Sequence, residues 1–119
     1  MSDDRLSKAL EFGHFRTAVN LMKEKLKLRL ENMLSYSQNG GTFKVTPELI
    51  SFVDVLIRKG VTSSVLLDSR NNPVMISDLQ EFSDILVSKY VESTNEYLVE
   101  YDKLKTARSV SQVTGIPKP

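Results

Sequence analysis

The sequence predicts a predominantly helical α+β fold. Two long stretches repeat apolar residues at three- and four-residue steps, over about 4–37 and 78–109. Between them lies a block of short apolar runs separated by glycine, proline and asparagine, the punctuation of strands and turns. The reading is two long amphipathic helices flanking a short central helix (47–59) and a small β-sheet or hairpin (42–45, 64–67, 73–76).

In the first stretch Phe12, Phe15, Val19, Met22, Leu26, Leu30 and Met33 form one helical stripe. Leu21 and Leu28 widen it, which implies contact with more than one surface. Lys25-Leu26-Lys27-Leu28-Arg29-Leu30 alternates as a strand would. Its residues are strong helix formers without β-branching, so helix is the better reading. Asn39-Gly40-Gly41 is read as the end of this helix, since glycine tolerates the left-handed backbone needed there.

Thr42–Val45 reads as a short strand. Thr46-Pro47-Glu48 then starts a helix: threonine as cap, proline at the first position, glutamate in the first turn. Leu49, Ile50, Phe52, Val53, Leu56 and Ile57 predict that this helix is the most buried element. Two apolar runs around Asp68-Ser69-Arg70-Asn71-Asn72 read as a hairpin, which with 42–45 suggests a three-stranded sheet. Ser77-Asp78-Leu79-Gln80 fits a capping box for the last helix. Leu79, Phe82, Leu86, Tyr90, Tyr97, Tyr101 and Leu104 mark its stripe, with a polar interruption at Ser93-Thr94-Asn95.

The 119 residues fit a single domain, 1–119, with a loose tail from about residue 111. Helices of about 30 residues are roughly 45 Å long. That is more than the roughly 28 Å diameter of a compact globule of this size, so the sequence points to helices that bend or project and associate.

The chain has no cysteine, which removes disulfides, thiolate metal sites and a cysteine nucleophile. No apolar run approaches a membrane span, and the acidic start lacks the order of a signal peptide. These point to a cytosolic protein and to no membrane partner. Net charge is +1, so no global field recruits nucleic acid.

No motif carries catalysis. His14 is the sole histidine and has no serine or acid at triad spacing. Gly40-Gly41 lacks a nucleotide-loop pattern, and Asp68–Asn72 lacks the glycine and terminal glutamate of a calcium loop. No enzyme activity, cofactor or metal is expected. An enzyme built on scattered carboxylates would need a pocket in which they converge.

Two surfaces remain as candidates. The first is an interaction surface of Phe12, Phe15, Val19, Met22, Leu26, Tyr90, Tyr97 and Tyr101. The second is a basic patch of Arg16, Lys23, Lys25, Lys27 and Arg29. Those cations flank the apolar stripe instead of forming one face. They therefore read first as cover for apolar surface and as partners for Glu92, Glu96, Glu100 and Asp102. Contact with phosphate is the alternative, and would make the chain a nucleic-acid- or polymerase-associated regulator.

Several stretches together resemble a known group. They are Met1-Ser2-Asp3-Asp4-Arg5-Leu6-Ser7-Lys8-Ala9-Leu10-Glu11-Phe12, Gly40–Val45 leading into Leu49-Ile50-Ser51-Phe52, Leu67-Asp68 with Asn72-Pro73-Val74, and Thr94-Asn95-Glu96-Tyr97 through Ala107-Arg108-Ser109-Val110. The pattern resembles small proteins of T-even-type myoviruses of marine bacteria, cyanophages above all, and covers nearly the whole chain. The resemblance implies virion structure or assembly instead of catalysis, with protein partners, a homo-oligomer or a place in a viral assembly. It supplies no functional residues.

Overall fold

The computed structural model describes residues 2–107, with side chains from Arg5 onward. The element order is α1 (Ser2–Met33), β1 (Ser35–Gln38), β2 (Gly41–Lys44), α2 (Pro47–Arg58), β3 (Ser64–Leu67), β4 (Pro73–Ile76) and α3 (Leu79–Thr106). The fold is α+β and mainly helical, with two long helices around a shorter one and two small antiparallel hairpins. The ends of the last helix at 108–109 and the tail from 111 lie outside the described residues.

The chain divides into two compact units. One comprises residues 30–95; the other pairs 1–29 with the chain from Glu96 onward.

In the 30–95 unit the first helix stops earlier than the sequence suggests. Ser35–Gln38 is a strand, not helix, and it pairs antiparallel with β2, Gln38 opposite Gly41. Asn39 and Gly40 both have positive φ, 51° and 81°. This is the backbone of a two-residue hairpin turn whose twist matches its strands. Asn-Gly therefore joins two strands where the sequence alone predicts a helix end. Residues 42–45 accordingly do not join 64–67 and 73–76 in one sheet. There are two two-stranded sheets, the second formed by β3 and β4 with Val65 opposite Met75.

The two hairpins are tied at their turns. The Ser69 amide donates to the Thr42 carbonyl at 2.8 Å, and Asn39 Nδ2 donates to the Met75 carbonyl at 2.9 Å. The Asp68 carboxylate accepts from the amides of Arg70 and Asn72, both at 2.9 Å, and of Thr42 at 3.2 Å. It is buried, and these N–H groups, Asn72 first, hold its pKa below the ordinary aspartate value against the opposing cost of burial.

Thr46 caps α2 through the Leu49 amide, with Pro47 at the first helical position. The helix ends in a Schellman turn. Gly60, with φ of 84°, donates to Ile57 and Val61 donates to Leu56. Burial corrects one expectation. Only Val53 of α2 is buried; Leu49, Ile50, Leu56 and Ile57 are half-buried, while Phe52 and Val55 are exposed. The start of α3 differs from a capping box too. Asp78 Oδ1 accepts from the Glu81 amide, and Gln80 turns to Asp84 instead of reaching back.

The core of this unit centres on Phe82, which meets Phe43 edge-on at 5.1 Å between ring centroids and Tyr36 at 6.0 Å. Val45, Val53, Leu66, Val74, Ile76, Leu79 and Leu86 complete it. Each such side chain contributes roughly 1.5–3 kcal/mol on full burial. Strands β2 and β4 alternate buried and exposed residues, as half-buried strands must.

Candidate interaction surfaces

In the other unit, Leu26 of α1 and Leu104 of α3 are the buried pair. Phe15, Ala18, Val19 and Met22 pack around them from α1, and Tyr97, Tyr101 and Ala107 from the α3 side. The alternating Lys-Leu stretch is helical throughout. Leu26 points into this seam and Leu28, two residues on, stands exposed on the opposite side.

Charged residues line the seam. Arg29 donates to the Glu96 carboxylate across it. The Lys23 ammonium lies 5.6 Å from the centroid of the Tyr101 ring, a cation–π contact. Lys27 pairs with Glu24 along the helix at 3.6 Å, and Lys103 with Glu100 at 3.0 Å. Of the five cations read as a basic patch, Lys23 and Arg29 thus reach α3 and Lys27 is held on its own helix. Arg16 and Lys25 are exposed and form no ion pair among the described residues.

The side chains read as an interaction surface divide in the same way. Phe15, Val19, Met22 and Leu26 of α1 meet Tyr97 and Tyr101 of α3 inside this unit, while Tyr90 packs on the Phe82 core of the other. Phe12 is 64% exposed. His14 is exposed as well.

A further apolar surface lies on the far side of α1. Leu10, Leu21 and Leu28 are each more than half exposed, together with Leu6. Leu10, Thr17 and Glu24 recur at seven-residue steps, and so do His14, Leu21 and Leu28. Two interleaved heptad lines make one seam along a helix. The hint was Leu21 and Leu28, which the main stripe cannot accommodate. A smaller apolar patch lies on the outer face of the second hairpin, where Val65, Leu67 and Met75 are exposed.

Among the described residues no helix is long and apolar enough to cross a membrane, and no three His, Asp or Glu side chains gather to hold a metal. Each buried side-chain nitrogen or oxygen among them has a hydrogen-bond partner. No family model, curated protein or solved structure matches the chain.

Proposed function

We propose that this protein is a non-enzymatic structural or assembly protein that works by protein–protein association through its long helices. One observation supports the reading above others: α1 is apolar on two sides. Phe15, Val19, Met22 and Leu26 are used within the chain, whereas Leu10, Leu21 and Leu28 are exposed. Leucines in register on a solvent face favour association, because their burial is the main favourable term a second surface can gain. The resemblance to small T-even-type myovirus proteins supports a setting in a tailed-phage virion or its assembly, in the host cytoplasm.

Cross-linking mass spectrometry on infected-cell extracts tests this. The expected result is cross-links from residues 5–28 to virion structural proteins or to a second copy, lost when Leu10, Leu21 and Leu28 are all replaced by Gln. Absence of any such cross-link from the wild-type chain rejects the reading.

A further inference from the structure

The exposed heptad lines of α1 carry charges that complement themselves when the helix is reversed. We infer that the occupant of this face is a second copy of the chain, packed antiparallel with α1 against α1. The inference rests on the association reading above and names its partner. Place Leu10 opposite Leu28 of the other copy. The same register then sets Leu21 against Thr17 and Glu24 against His14. On one flank it sets Glu11 beside Lys25.

A two-fold axis makes every one of these contacts twice. Both apolar pairs stack leucine on leucine or on a threonine methyl. Both polar pairs join groups of opposite or complementary character: carboxylate with ammonium, carboxylate with imidazole. A parallel pairing in register would set each seam residue against its own copy, Glu24 against Glu24 and His14 against His14, and would move Glu11 away from Lys25. Like charges facing one another across a seam oppose pairing, and opposite charges set partner and orientation.

The chain leaves these groups available. Glu11, His14, Thr17, Glu24 and Lys25 are all exposed. Glu11 and Lys25 form no ion pair among the described residues, and the one ion pair of Glu24 among them is with Lys27, one turn on and also exposed. The α1 face packed on α3 is a different one, centred on Phe15, Met22 and Leu26. Self-pairing therefore leaves the intrachain seam intact. The near-helical step of the leucine line, seven residues against a 3.6-residue turn, drifts slowly around α1. A left-handed supercoil keeps it in contact over the 10–28 span.

The full-length chain is tested by sedimentation equilibrium across the micromolar range. A monomer–dimer equilibrium is expected. Glu11→Lys and Lys25→Glu should each weaken it roughly tenfold, since each change turns two opposite-charge pairs into like-charge pairs. The double swap should restore it. Orientation is read independently, because the chain has no cysteine. Asn20→Cys lies next to the two-fold axis and should oxidise to a covalent dimer. Ser7→Cys lies about 36 Å from its own copy in this register and should not.

A full chain that stays monomeric overturns self-pairing. So does a dimer indifferent to both single charge swaps, or one in which Ser7→Cys cross-links as readily as Asn20→Cys. None of these results touches the broader association reading. That reading falls only if the extract experiment shows α1 linked to no virion protein and to no second copy.

Discussion

Gly41 and Val74 are in such close approach that a Cβ on the glycine would stand 2.4 Å from Val74 Cγ2. The first hairpin thus sits on the second at a point where only hydrogen fits. Gly41→Ala is expected to cost about 1–3 kcal/mol, the usual range for overpacking a filled site. A urea titration monitored by far-UV circular dichroism measures it. Val74→Ala in the same chain should recover part of the loss, because the two changes share one contact.

Asp68 gives the same junction a pH dependence. Its carboxyl pKa is lowered in the folded chain by the amides of Asn72, Thr42 and Arg70. A lowered pKa means the folded state binds this proton less readily than the unfolded one. The stabilisation is therefore complete above the ordinary aspartate value of about 3.9 and lost as pH falls through the lower folded value. Asp68→Asn should lower the melting temperature at neutral pH and flatten its fall in acid. A variant with an unchanged acid slope would count against this account.

Both residues of the Asn39-Gly40 turn have positive φ, and Gly40 is the one at which a substitution would introduce a Cβ. Gly40→Ala should cost about 1 kcal/mol, the strain of a left-handed backbone on an L-residue. Thermal melts of the variant give the value directly.

Leu104→Ala should loosen one unit more than the other. Removing a buried leucine costs roughly 2–5 kcal/mol, and among the described residues the apolar cluster around Leu104 is drawn from its own unit. Hydrogen exchange should quicken in residues 5–29 and 96–106, while the amides around Phe43 and Phe82 keep their protection. Uniform loss of protection would show the two units to open together.

The basic stretch is expected to add little to nucleic-acid binding. Arg29 is engaged by Glu96 and Lys23 lies over Tyr101, and the net charge is only +1. Replacing Lys23, Lys25, Lys27 and Arg29 by Ala should leave the affinity for duplex DNA, followed by fluorescence anisotropy, nearly unchanged. A steep salt dependence abolished by these changes would favour the phosphate reading instead.

The helices were legible because their signal is redundant. Phe15, Val19, Met22 and Leu26 repeat the same step, and no single residue has to be read correctly. The strand β1 was not. Ser35-Tyr36-Ser37-Gln38 has no apolar alternation, and its one large side chain, Tyr36, continues the preceding helical pattern well enough to be absorbed by it. What defines it is the Asn-Gly dipeptide that follows. That dipeptide tolerates both the single left-handed residue that ends a helix and the two in succession that turn a hairpin, so local chemistry alone does not choose. The partial exposure of α2 was hidden for another reason. Phe52 and Val55 are as apolar as Val53, and only the number of surfaces packed on the helix decides which are covered. The division of the candidate surface followed the same limit: spacing put Phe12 and Tyr90 on stripes, and packing decided what each stripe touches.

The arrangement of the two units along the chain also sets an order of events during synthesis. Residues 30–95 are contiguous, so that unit can close once its last residue leaves the ribosome. The helical segment 5–29 emerges first, but its packing partners Tyr97, Tyr101 and Leu104 come some seventy residues later. At ~5–20 residues per second that interval is roughly 4–15 s. Throughout it both apolar sides of α1 are open, the inward Leu26 side and the outward Leu21 side alike. Under the proposed self-pairing, neighbouring nascent chains on one message would meet with their first helices still uncommitted, and the seam that forms first would govern which copy each helix ends up beside.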